Sequence, residues 1–325
     1  MRRRTFVTGA ASLIAMPGTG LAQTARANRK IGYLHSLSNS VSPPPVSLSS
    51  MRPIWQKLGY IEGETVLLRG AEGDPSRLPK LASELISLDV AVLIAVGPAA
   101  LRAASQATKT TPIVAVDLET DPVRAGLAAT FGRPGGNVTG LFLDQPAVAG
   151  KWLELLREAA PWIERIALVW EPTSGTDQLE AARVAAHAIG IEALVLEVRS
   201  TEGYGEAFRT LGSERRTGIV QLGSPALTMP AARLGDSALK YRFPTISFYT
   251  PHAKAGALLS YGPNLEAYFP RAATLADKII NGAVAGELPI EQPELFQLIL
   301  NLKTAKALGI AIPPSLLARA DEVIE

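Results

Sequence analysis

Short apolar runs alternate along this chain with segments whose apolar residues recur at helical spacing. Runs at Lys30–Leu34, Thr65–Gly70, Val90–Val96 and Pro112–Val116 read as strands, and the continuous apolar character of Val90–Val96 is that of a strand covered on both faces. Between them, Ser47–Gly59, the stretch opened by Asp74-Pro75 with Leu78, Leu81, Leu85 and Ile86 in register, and Ala99–Thr108 read as helices. The rhythm restarts with strands predicted at Arg165–Trp170, Glu192–Val198, Gly218–Leu222 and Thr245–Phe248. Helices are expected at Gln178–Ile189, Gly205–Gly212 and, with breaks, Pro225–Tyr241. Strands alternating with helices of this length predict an α/β protein with parallel sheets covered on both faces. Two such series, divided by the Gly-rich stretch Arg133–Asn137, predict two doubly wound lobes. A Ser/Pro-rich loop, His35–Val46, is long enough to form the lip of a site.

The pattern is different at the start. Met1-Arg2-Arg3-Arg4-Thr5-Phe6-Val7 leads into a weakly apolar run that Pro17 ends, with small residues near Ala22. A basic opening, a short apolar core and small residues at the cleavage point predict a secretory signal, and adjacent arginines before x-Phe-Val predict its twin-arginine form. The run is too short and too polar to span a bilayer. Residues 1–22 hold three arginines and no acid, so cleavage after Ala22 takes the net charge of +2 to −1. A near-neutral surface offers no electrostatic case for nucleic acid or an anionic membrane. Cysteine is absent, which excludes disulfides, thiolate chemistry and lipid attachment through a thiol. The expected location is the periplasm.

Known catalytic patterns are missing from the sequence. It holds no phosphate-binding Gly-rich loop of the G-x-x-x-x-G-K or G-x-G-x-x-G kind, no G-x-S-x-G elbow and no H-E-x-x-H. His187 falls within a predicted helix; His35 and His252 follow strands and leave open an exported hydrolase with a triad assembled only in space. No cofactor and no metal are expected.

In open parallel sheets, ligands bind beyond the carboxyl ends of the strands. Those positions hold Ser36, Leu37 and Ser38; Gly97, Pro98 and Ala99; and Asp117 and Glu119. In the second series they hold Trp170, Glu171 and Thr173; Ser224 and Pro225; and Tyr249. Gly97 and Gly223 would let backbone N–H groups at a helix start meet an anion. Together the six loops predict a cleft suited to an α-amino acid, with N–H groups for its carboxylate, an acid for its ammonium and rings for its side chain. Asp117 is the expected acceptor for a ligand ammonium or hydroxyl. The bland alternative is that Asp117 caps its turn and Glu119 faces solvent.

Several stretches also carry a family resemblance: Leu58-Gly59-Tyr60-Ile61-Glu62-Gly63, Arg77–Ala82, Asp121-Pro122-Val123, Arg133–Gly140, Leu259–Pro263, Leu288–Pro293, Asn301–Gly309 and Pro313–Val323. As a set they resemble the ABC transporter substrate-binding proteins that include tryptophan- and tyrosine-binding members, over essentially the whole chain from Ile31. The resemblance implies a periplasmic binding protein of the type I-like fold, whose closed, ligand-bound form meets an ABC permease in the inner membrane. It also implies three crossovers between lobes, at Val138–Asp144, on the approach to Ser247–Tyr249, and at Leu288–Pro293. Lobe one would then comprise 29–143 and 253–287, lobe two 144–252 and 288–325, and the protein would work as a monomer. A sensor handing its closed form to a signalling receptor would share every one of these features. Family members usually carry small or neutral residues where Asp117 and Glu119 stand, and many have Asn where this chain has Glu171. The added acid suits a ligand bearing an amine or several hydroxyls.

Overall fold

The computed structural model describes residues 29–40, 44–143, 145–212 and 216–325. The predicted signal segment lies outside these, as do three residues of the loop after the first strand.

Five strands form the first sheet: β1 Ile31–His35, β2 Val66–Gly70, β3 Val92–Val96, β4 Ile113–Val116 and β5 Val138–Leu141. Their order is β2-β1-β3-β4-β5 and every pairing is parallel. The pleat explains the unbroken apolar runs. Ile31, Tyr33, Val92, Ile94 and Val96 point to one core, while Leu34, Leu93 and Ala95 point to the other. Helices Leu78–Ser87 and Pro98–Ala107 cover the second face. The first is covered by helix Val46–Lys57 and by a helix from far along the chain, Pro270–Ile280.

The second sheet is built from β6 Arg165–Trp170, β7 Glu192–Glu197, β8 Thr217–Gln221, β9 Thr245–Ser247, β10 Leu259–Pro263, β11 Phe296–Asn301 and β12 Glu322–Ile324, in the order β12-β11-β10-β9-β8-β6-β7. It is parallel except that β10 and β11 run antiparallel. That departure from an all-parallel expectation arises because the chain leaves this sheet after β10 and re-enters from the opposite end.

The same pairing corrects the expected lobe boundary. β10 is hydrogen-bonded to β9 and β11, so residues 253–263 belong to the second lobe, while helices Leu265–Tyr268 and Pro270–Ile280 and the turn Ala285–Glu287 pack on the first. Ser247–Tyr249 therefore lie inside lobe two rather than at a crossover. The chain passes between lobes after β5, between Pro263 and Leu265, and near Glu291. The crossovers are laced together. Glu291 N–H donates to Gly140 O (2.9 Å), Phe142 N–H to Glu291 O (3.0 Å), and the Tyr268 hydroxyl to both Glu291 O (2.6 Å) and Phe142 O (3.2 Å).

Candidate functional site

The carboxyl ends of β1, β3 and β4 face those of β6, β8 and β9 across the gap between lobes. The gap is shut by direct contacts. Arg102 donates to Thr173 O (2.6 Å), Asp121 N–H to Asp177 Oδ2 (3.0 Å), and Arg124 pairs with the same Asp177. The Tyr249 hydroxyl donates across it to Glu119 Oε1 (3.2 Å). At Gly97, where φ is +85°, an added Cβ would stand 2.9 Å from Pro225 Cγ. The lobes meet backbone to ring there.

Two adjoining cavities lie in the closed gap, and a third, of about 300 Å³, is bordered by Arg102, Asp117, Thr120 and Arg124 of lobe one and by Ser174, Gly175, Thr176 and Asp177 of lobe two. The first, of about 90 Å³, is bordered by His35, Ser36, Leu37, Ser47, Gly97 and Glu119 of lobe one and by Pro225, Thr228, Met229 and Tyr249 of lobe two, with Leu265 and Phe269 beside the crossover. Most of the wall is apolar. The second, of about 200 Å³, shares Ser36, Leu37, Gly97 and Pro225 with it and adds Pro98, Ala99, Glu171, Thr173 and Arg199.

The sequence-predicted residues fall into distinct groups on this frame. Ser36, Leu37, Gly97, Glu119, Pro225 and Tyr249 border the first cavity. Pro98, Ala99, Glu171 and Thr173 border the second. Ser38 accepts from Ser40 N–H in its own turn, and the indole of Trp170 donates to Gly175 O, bracing a loop. Ser224 is buried, donating to Glu171 and accepting from Ala226 N–H. Thr228, Met229, Leu265 and Phe269 also border the first cavity, and nothing in the sequence around them marks a site. All are ordinary in type, and only the closure of one lobe on the other makes them wall.

The three acids differ sharply. Glu171 is saturated: it accepts from Thr173 N–H and from the hydroxyls of Thr173, Ser174 and Ser224, so it caps the short 3₁₀ turn Pro172–Ser174. Asp117 Oδ1 accepts from Glu119 N–H (3.1 Å) and Thr120 N–H (3.0 Å), while its Oδ2 is buried without a partner. Burial raises its pKa to about 6 against those hydrogen bonds. Glu119, also buried, is raised well above the ordinary carboxylate range, first by desolvation and then by the neighbouring Asp117. Asp117 thus caps its own turn and borders the third cavity, while Glu119 is the carboxyl at the first.

His35 is buried and its Nε2 meets Asn39 Oδ1 (2.9 Å), leaving Nδ1 unpartnered at the first cavity. Burial lowers its pKa. His252 bonds Ser247 Oγ through Nδ1 (2.6 Å) and Thr228 O through Nε2 (3.2 Å). This serine–histidine pair is buried, Ser247 Oγ also accepts from Tyr249 N–H, and the third partner is a carbonyl rather than a carboxylate. The pair holds the turn after β9. No group of His, Asp and Glu among the described residues is arranged to hold a metal ion.

A closed two-lobed α/β clamp with an apolar cavity between strand ends defines a periplasmic binding protein of the type I-like kind. Residues 53–324 match the ABC transporter substrate binding protein family, and the chain belongs to that family. It is 24% identical over 261 residues to the tyrosine-binding protein of Clostridioides difficile strain R20291, covering 78% of this chain and 73% of that one. A conserved domain protein from Vibrio cholerae has the same fold with a TM-score of 0.80 at 24% identity, covering 91% of this chain and 99% of that one. So has the ABC domain solved in complex with L-Trp from Streptococcus pneumonia, with a TM-score of 0.80 at 22% identity over 91% of this chain and 100% of that one.

Proposed function

We propose that this chain is the periplasmic substrate-binding component of an ABC importer, capturing a small organic solute, an amino acid or aromatic compound, between its lobes. The observation that carries the reading is the cavity itself, which is walled by residues of both lobes. A ligand that touches both walls stabilises the closed state by its differential affinity, and the closed state is the form a permease distinguishes. The tyrosine-binding and L-Trp-bound relatives support a solute of amino-acid or aromatic type. The basic opening of residues 1–7 supports export to the periplasm. A clamp of this kind performs no chemistry on its ligand.

The test is a thermal-shift screen of amino acids, aromatic acids, amines and sugars, followed by solution scattering. At a thousandfold excess over Kd, binding adds about 4 kcal/mol and raises the melting point by several degrees. The bound form should hold the compact shape in solution. A hit that is consumed during incubation, or a hit that leaves the scattering curve of an open free protein unchanged, overturns the reading.

A further inference from the structure

We propose that closing the gap takes up a proton: Glu119, reaching from lobe one into lobe two, is held as a carboxylic acid against Asp117 while the lobes are shut, and rising pH parts them. The inference rests on the reading of the gap as a ligand clamp and names a control on that same site.

It begins from where Glu119 sits. The residue belongs to the loop after β4, yet its Oε1 accepts from the Tyr249 hydroxyl of lobe two (3.2 Å). An added Cβ on Gly223, also of lobe two, would stand 3.2 Å from the same oxygen. The Tyr249 hydroxyl is itself fixed, since Ser224 N–H donates to it. Glu119 is 4% exposed, and lobe two supplies part of that cover. Parting the lobes removes Tyr249 and Gly223 from Glu119 and lets water reach the carboxyl. Hydration then favours the charged form, which burial in the shut gap penalises.

The neighbours of Glu119 decide which form is held. Asp117 Oδ1 accepts from two N–H groups of its own loop, its Oδ2 is buried without a donor, and the Glu119 carboxyl lies against it. Two carboxylates in contact repel; a proton on Glu119 turns that repulsion into a hydrogen bond to Asp117. Leu118 N–H and the Tyr249 hydroxyl favour the charged form of Glu119, but burial and the charge on Asp117 outweigh them. Other groups face the pair from every side. Arg102 of helix Pro98–Ala107 tempers the charge on Asp117 while its guanidinium is held by Thr173 O across the gap. His35 stands at the end of β1, where burial favours its neutral ring. Tyr204 and His252 lie behind Tyr249 in lobe two, and Arg124 pairs with Asp177 at the third cavity. Among the described residues, no Lys, Arg or His is hydrogen-bonded to either carboxyl.

Because the closed form binds the proton more tightly than the open one, closure weakens as pH rises, by up to about tenfold per pH unit between the two titration points. His35 acts the other way only in acid, where a proton on its buried ring favours opening.

Solution scattering of the mature chain between about pH 5 and pH 9 tests this, at constant ionic strength so that the Arg124–Asp177 pair is screened equally throughout. The radius of gyration should rise reversibly with pH while the melting transition remains. Glu119→Gln keeps an acceptor for Tyr249 and a donor for Asp117 without a titrating proton, and should stay compact across the range. Infrared spectra of the native chain should show a protonated-carboxyl band near neutral pH that disappears as the protein expands. Gly97→Ala, which sets a methyl against Pro225, should weaken that band at the same pH. If Glu119→Gln does not fold, the coincidence of band loss and expansion in the native chain decides. A radius that does not change with pH, an expansion that Glu119→Gln retains, or no protonated-carboxyl band near neutral pH overturns the proposal. A solute that closes the lobes equally at both ends of the range would leave the clamp reading intact while the proton switch fails. Expansion with pH in a chain that takes up no solute would do the reverse.

Discussion

Asp117 and Glu119 stand two positions apart in one loop, and their roles diverge because backbone N–H groups of that loop turn toward the first of them. The sequence shows that acids follow β4; it does not show which one the turn consumes, because an Asp two or three residues before free N–H groups is also an ordinary cap. The buried Asp117 carries a stability cost with a definite sign. Its folded pKa of about 6 exceeds the unfolded value of 3.8, so the folded protein holds the proton longer and loses stability as pH rises through that window. Asp117→Asn keeps an acceptor for the two N–H groups and removes the charge. It should raise stability near pH 7 by about 1–3 kcal/mol, and the gain should vanish below about pH 4. Melting curves across pH check this; a gain that persists at low pH contradicts it. His252 works in the opposite direction on the native background. Its pKa falls from 6.5 to about 4 on burial, so the fold loses stability as pH drops through that interval, in both proteins alike.

At the scale of elements, the hydrophobic period read most strands and helices of both series to within a residue or two at their ends. β1, β3 and β6 were legible because burial on both faces leaves unbroken apolar runs. β5, β10, β11 and β12 do not stand out as strands in the sequence pattern. β5 and β10 contain Gly140 and Gly262, and β12 is a three-residue edge, so none shows a sustained pattern. Those glycines mark close approach rather than looseness. An added Cβ on Gly140, at φ +140°, would stand 2.1 Å from Ala115 O in the neighbouring strand. Gly140→Ala should therefore break the β4–β5 pairing and the Glu291 bond to Gly140 O, costing about 3 kcal/mol or more. Gly150→Ala is the control. That glycine lies exposed in helix Gln145–Ala159 with nothing near its missing Cβ, and the change should stabilise by up to about 1 kcal/mol. Denaturant melts of the two variants should move in opposite directions.

For the whole molecule, the two-lobed plan was legible from the repeated strand–helix rhythm, while the place where the chain returns was not. Nothing in the local pattern says that residues 259–263 pair with β9 rather than joining the first sheet. That choice is made by long-range pairing. Closure is likewise a property of the assembled lobes, and Gly97 is where it can be tested. Gly97→Ala places a methyl against the Pro225 ring and strains a φ of +85°. The variant should remain folded with a larger radius of gyration in solution scattering and about tenfold weaker ligand binding. A scattering curve and affinity equal to those of the native chain would show that the lobes tolerate the added methyl.

The helix Pro270–Ile280 covers one face of a sheet whose strands were all completed by residue 141. During synthesis that face stays bare while more than a hundred further residues emerge, most of them belonging to the other lobe. β11 and β12, which finish the second sheet, come later still. Neither lobe is then a unit that a ribosome can release finished, and both must mature together near the end of translation. A chain interrupted before that helix would expose apolar surface from both halves at once, making it a substrate for chaperones and proteases rather than a half-working clamp.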